Sequence, residues 1–197
     1  MPAKQRRGEE TVRRLLDAAL TVHDEAGPEG FTVQAVAAAC GVSLGSLYHH
    51  FGSFDGLAAA LYERCMAGLL DGIVASLERT RTARGGVRAV VTAYLRFVAE
   101  EPSQARFIHA SAYAGYLPAH AESIAAMKAP RMARMARWLA PHVREGSIVD
   151  LPDPLTEMLL IGPVAELSRR WLAGAADIDL AGAARVLPDR IWASLAK

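Results

Sequence analysis

Apolar residues recur at steps of three and four along the whole chain, and each run is cut off by Gly, Pro or a capping hydroxyl. A sandwich or barrel needs two-residue alternation and β-branched clusters, which are missing. The pattern therefore predicts an all-α fold of about nine helices. The first carries Val12, Leu15, Leu16, Ala19 and Leu20 on one stripe behind Glu9 and Glu10, which suit a positive helix N-terminus, and stops at Gly27-Pro28. Thr32 caps a short helix over 33–40 that Gly41 ends, and Ser43 caps another over 44–50. Ser53 opens a long fourth helix from Phe54 to about Arg79. The run 80–86, TRTARGG, breaks it before a stripe of Val87, Val90, Val91, Tyr94, Leu95 and Val98. Pro102 and Pro118 each stand where a helix can begin. A stripe from Ile124 through Trp138 and Leu139 continues past Pro130, which should kink it. Asp153-Pro154 reads as an N-cap and N1 pair for a helix ending at Gly174, and the last stripe runs from Leu180 to Leu195.

Composition narrows the function classes. Of 197 residues 52% are hydrophobic and 22% charged, enough for a packed core and too apolar for disorder. Lys and Arg number 22 against 21 Asp and Glu, so any nucleic-acid-binding surface must be local. Cys40 and Cys65 give neither a disulfide framework nor metal-ligand spacing, and no cofactor or metal is expected. No apolar stretch follows the basic groups of the first ten residues and none is long enough to span a bilayer, which predicts a cytoplasmic protein without a membrane partner.

The informative segment is 32–51, TVQAVAAACGVSLGSLYHHF: a short apolar helix, a glycine turn and a second short helix, which together spell a helix-turn-helix. Gly41 supplies the left-handed backbone of the turn, and Leu47 and Phe51 face a core with Val36. Leu44, Gly45, Ser46, Tyr48 and His49 point elsewhere, and small or hydroxylated side chains there suit close approach to a DNA groove. Residues 1–56 hold five Lys or Arg against seven Asp or Glu, yet 32–54 contain no Lys, Arg, Asp or Glu. No carboxylate opposes phosphate there, and the arm cations Lys4, Arg6 and Arg7 are predicted to supply much of the salt dependence. His49 and His50 predict tighter binding as pH falls toward 6.

The stretch from Arg14 to Leu57 resembles the DNA-binding domain of TetR-family transcriptional regulators. The resemblance rests on Gly30-Phe31-Thr32, Val36-Ala37, Cys40-Gly41-Val42-Ser43, Gly45-Ser46-Leu47-Tyr48-His49-His50-Phe51 and Leu57, in order and spacing. It implies that Ser43 to His49 enter the major groove, that Thr32, Ser46, Tyr48 and His50 hold phosphates, and that Leu44, Gly45 and Tyr48 lie nearest the bases. Phe54 departs from the pattern, standing where the family usually has a Lys. Further on, only Ile161-Gly162-Pro163 and Arg170-Trp171-Leu172-Ala173-Gly174 are family-like. The implied organisation is an arm and helix-turn-helix domain over 1–53 and a helical effector-binding and dimerisation domain over 54–197. The implied function is a repressor, not an enzyme, that a small molecule releases from a palindromic operator.

An effector cavity, also implied by the resemblance, draws attention to Tyr94, Phe97, Phe107, His109, Tyr113, Met127, Met135, Trp138 and Met158, an aromatic and Met-rich set suited to a mostly apolar ligand. Leu159, Leu167, Trp171, Leu187, Ile191 and Trp192 on the last two helices predict a homodimer interface. Two readings compete. Gly41-Val42-Ser43-Leu44-Gly45 satisfies G-x-S-x-G, the nucleophile elbow of an α/β-hydrolase esterase, which requires a strand before Ser43. A helical interaction module without DNA binding would account for Phe54 and the acidic head.

Overall fold

The computed structural model describes residues 3–111 and 114–197, apart from the side chains of residues 3–5 and 153. Nine α-helices follow one another among the described residues, with one 3-10 turn and no named strand. The described fold is all-α, as predicted.

Helix α1 (Ala3–Gly30) starts well before Glu9 and breaks where expected, at Gly27, whose φ is 67°. Then come α2 (Val33–Cys40) and α3 (Leu44–Phe51), with the predicted caps in place. The α4 helix (Phe54–Leu77) opens at Ser53, whose hydroxyl accepts from the Gly56 amide at 2.9 Å. The α5 helix (Ala83–Glu100) begins inside the run expected to be a break: the Thr82 hydroxyl caps it, accepting from the Gly85 amide at 3.1 Å. Gly86 lies in its first turns, and the Trp138 ring occupies the space where a Cβ would stand. After α6 (Pro102–Ser111), a 3-10 turn over Pro118–His120 leads into α7 (Ala121–Arg144), which continues through Pro130 and Pro141. In α8 (Asp153–Leu172) the cap position falls on Pro152, so Asp153 is the first helical residue instead of the cap. The last helix is α9 (Leu180–Leu195).

The chain forms two compact units: 1–66 with 106–125, and 67–105 with 126–197. The first half of α4 and the end of α6 fall in the first unit with the head. In the first unit Leu15, Ala19, Val36, Leu47, Leu57 and Leu61 are buried together. Beside them His23, Phe31, Phe54 and Phe107 form an aromatic cluster, with ring centroids 4.9 Å apart for His23–Phe107 and for Phe31–Phe54. Two exposed ion pairs cross this unit: Arg64 donates to Asp17 at 2.6 Å and Arg106 to Asp24 at 2.9 Å.

The second unit packs α5 against α8 and α9. Val91 and Val98 of α5, Val164 of α8, and Pro188, Ile191 and Leu195 of α9 are sealed in its core. Arg84 and Arg88 both reach Asp189, at 3.0 and 2.8 Å, and together hold its carboxyl below the usual carboxylate range. No helix among the described residues is long and apolar enough to cross a membrane.

Candidate nucleic-acid interface

The interface is built from two helices of eight residues each, too short to persist alone, since isolated helices below about 12–15 residues are marginal in water. Their ends are therefore fixed by hydrogen bonds to side chains and turn backbone. At the start of α2 the Thr32 hydroxyl accepts from the Ala35 amide at 3.2 Å. At its end Gly41 adopts φ 71°, a left-handed conformation that a Cβ would disfavour, and the Gly41 and Val42 amides turn back to Ala38 and Ala37, each at 3.1 Å. Two residues on, the Ser43 hydroxyl accepts from the Ser46 amide at 3.2 Å and starts α3.

Arg14 adds a brace that its sequence position did not reveal. Its guanidinium donates to the Cys40 carbonyl at 3.0 Å, satisfying one of the orphan acceptors at the end of α2 and tying the turn to α1. A second clamp comes from Arg64, which donates to the Leu16 carbonyl at 3.0 Å while it pairs with Asp17. The sequence shows only that these arginines exist, and their carbonyl partners lie 26 and 48 residues away.

The two faces of α3 differ sharply. Leu47 is 0% exposed, whereas Tyr48 beside it is 43% exposed and Leu44, the first helical residue, is 39% exposed. Ser43, Gly45 and His49 are also exposed, with Ser46 and His50 half-buried. The His49 and His50 rings sit edge to face, 5.3 Å apart. Thr32 is exposed at the start of α2. The structure thus places Leu44, Gly45, Tyr48 and His49 outside the core, and Val36 and Leu47 within it. Phe54 does not face outward in place of the missing Lys, because its ring packs against Phe31 in the aromatic cluster.

Arg6 and Arg7 are exposed on the first turns of α1, and the Lys4 side chain lies outside the described residues. Arg13 folds back onto Glu10 at 2.7 Å. The hydrolase reading fails on geometry: helix α2, not a strand, leads into Ser43, and the Ser43 hydroxyl is engaged as a cap.

Residues 15–61 match the profile of the family described as bacterial regulatory proteins, tetR family. Over these residues the chain is similar to that family. Among curated proteins, the HTH-type transcriptional regulator BetI of Rhizobium meliloti is 35% identical over 91 residues, 45% of each chain. BetI of Burkholderia mallei is 39% identical over 93 residues, covering 44% of this chain and 46% of that protein. The match thus spans about half the length of these relatives. Among solved structures, a TetR family transcription regulator from Marinobacter aquaeolei superposes with a TM-score of 0.80 at 21% identity, over 98% of this chain and 99% of that one. The transcriptional regulator FadR from Bacillus subtilis, in complex with stearoyl-CoA, gives 0.76 at 18% identity, over 91% and 96%. These likenesses extend the tetR-family fold beyond the head to nearly the whole chain.

The residues singled out for an effector fall in both units. Phe107 is 2% exposed and packs on His23 and Phe31 inside the first unit. His109 is half-buried in that unit, and Tyr113 lies outside the described residues. In the second unit Tyr94 is buried, Phe97, Met127 and Met135 are half-buried, and Met158 stands 65% exposed on α8. Trp138 is held by its own packing: it covers Gly86, stacks on His142 at 4.4 Å and donates its indole N–H to the Thr80 carbonyl at 3.3 Å.

Of the residues expected at a dimer interface, Ile191 is 3% exposed and packs inside its own unit, where the turn of α9 carries it away from the surface. Leu159 is 36% exposed, and Leu167, Trp171, Leu187 and Trp192 are half-buried. The exposed large apolar side chains of these two helices are Leu155, Met158 and Leu159 on one stripe of α8, and Val186 on α9.

Proposed function

We propose that this protein is a ligand-responsive DNA-binding transcriptional regulator that acts as a homodimer in the cytoplasm and represses its operator. The observation that carries the reading is the outward face of α3: Tyr48 and Leu44 exposed on a capped helix of a tetR-like head, in a segment free of charged side chains. A helix presented this way enters the major groove, with hydroxyls and amides on phosphates and the remaining side chains at base edges. Thr32, Ser46, Tyr48 and His50 are the phosphate-side groups, and Arg6, Arg7 and Lys4 of the arm add cations.

The dimer follows from the groove. One short helix reads only a few base pairs, so two copies must meet half-sites one helical turn apart, about 34–36 Å, on a palindrome. The stripe of Leu155, Met158 and Leu159 with Val186 supports a second copy as occupant, because a soluble monomer rarely leaves apolar side chains exposed at i, i+3 and i+4. For the effector, the acyl chain of the stearoyl-CoA held by FadR supports a small molecule with a sizeable apolar part, with Phe97, Met127 and Met135 as the half-buried contacts. Such a ligand acts by shifting the population toward a dimer with wrongly spaced heads, so ligand and operator must weaken each other by the same factor.

The test is selection of duplexes by the full chain from a random pool, followed by anisotropy titration. Enrichment of a palindrome, with Tyr48→Ala binding at least tenfold more weakly at unchanged melting temperature, supports the reading. Failure to enrich any duplex ends it.

A further inference from the structure

The major groove offers a side chain three kinds of handle: the paired acceptors of guanine, the donor and acceptor of adenine, and the C5-methyl group of thymine. Guanine is read by Arg or Lys, and adenine by Asn or Gln, each through two parallel hydrogen bonds. Residues 35–53 contain none of these four residue types, and no carboxylate that could accept from cytosine. Beside the exposed polar groups of Ser43, Tyr48 and His49, α3 presents one aliphatic side chain: Leu44 stands on its first turn, 39% exposed, directly after the Ser43 cap. Leu47, three residues on, is 0% exposed and supplies the hydrophobic anchor, so the exposure of Leu44 is not needed to hold the helix down. Tyr48 lies one turn beyond Leu44 on the same stripe and is also exposed, and Gly45 brings no side chain that would keep the helix away from the groove floor.

We propose that Leu44 is a specificity-determining residue that reads the C5-methyl group of one thymine in each operator half-site, by apolar contact and not by paired hydrogen bonds. The proposal rests on the DNA-binding function argued above. Its partner is duplex DNA with a T·A pair facing the first turn of α3.

The probe is the duplex enriched from the random pool by the full-length protein. Each thymine of a half-site is replaced in turn, symmetrically, by deoxyuridine, which removes one methyl group and leaves base pairing intact. At one thymine per half-site the wild-type protein is expected to bind about three- to tenfold more weakly, the scale of one buried methyl counted in two half-sites. Placing 5-methylcytosine opposite guanine at that position restores the methyl and is expected to bind more tightly than cytosine there. Leu44→Ala is expected to keep the wild-type melting temperature, to bind the thymine duplex at about the deoxyuridine level, and to lose the distinction between the two bases.

Three results overturn the proposal while leaving DNA binding intact: every thymine tolerates deoxyuridine; Leu44→Ala retains the full preference for thymine; or Leu44→Ala binds as tightly as wild type, which makes the exposed leucine a contact for something other than DNA. A pool from which nothing is enriched rejects the DNA-binding reading itself, and this proposal with it.

Discussion

The short helices of the head and the long helices at the C-terminal end are organised by opposite means. In α2 and α3 nearly every boundary is set by a neighbour in sequence: Thr32 caps one, Gly41 closes it, and Ser43 caps the next. In α8 and α9, with 20 and 16 residues, long apolar stripes leave several rotations about the helix axis open. Val164 is 0% exposed while Leu159 on the same helix is 36% exposed, and Ile191 is 3% exposed while Val186 stands at 58%. Local capping fixes where a helix lies along the chain, and only its packing partner decides which face it shows.

That contrast is probed most severely at adjacent residues. Leu47→Ala removes a fully buried anchor and is expected to cost about 2–5 kcal/mol of stability in thermal or urea unfolding. Tyr48→Ala, one residue along, is expected to stay within about 0.5 kcal/mol of wild type, the range of surface changes. Equal losses at both would mean that α3 does not divide into a buried and a presented face. Next in size, Gly41→Ala forces a side chain into φ 71° and is expected to cost roughly 1–2 kcal/mol, visible as a lower midpoint in urea.

A smaller effect depends on pH. His23 is 8% exposed, and its Nδ1 has no hydrogen-bond partner. Burial among Phe31 and Phe107 pushes its pKa below the ordinary imidazole value, Asp24 opposes this and Arg106 adds to it. Above the ordinary value both folded and unfolded chains hold a neutral ring and stability is unaffected. As pH falls through that value the unfolded chain takes up the proton first, so stability drops, and the loss levels off below the folded-state pKa. Unfolding free energy measured from pH 8 to pH 5 is expected to decline, and His23→Phe is expected to flatten that decline; an unchanged slope would remove His23 as its source.

For the C-terminal end, Met158→Glu is expected to leave folding within about 0.5 kcal/mol while shifting the protein from dimer to monomer in sedimentation. A folded dimer that tolerates the charge would exclude the α8 stripe as the interface. The slightest effect on folding is expected from deleting residues 1–7, which should lower the salt slope of DNA binding by about 0.9 for each phosphate that the arm no longer neutralises. A slope that does not change would show that the arm cations stay off the DNA.

The head was legible because its signals are carried by single residues in fixed order. Arg14 and Arg64 were not, because their acceptors are backbone carbonyls brought near only by folding. Phe54 looks like a missing phosphate cation until Phe31 is seen packed against it. Residue type marks the aromatic and Met-rich set as suited to an apolar ligand, but how deeply each member is buried, from Phe107 at 2% exposed to Met158 at 65%, is set by packing.

Sequence alone settled the all-α class, the helix-turn-helix and its caps, and the uncharged outward face of α3. These follow from interactions within a few residues, whose geometry the chain itself enforces. Tertiary structure decided that α6 lends Phe107 to the head, that Ile191 turns inward while Leu155 and Met158 turn outward, and that Trp138 fills the space left by Gly86. Each of these is a choice of partner across dozens of residues, and it is made by how side-chain volumes fit together in space, which spacing along the chain does not encode.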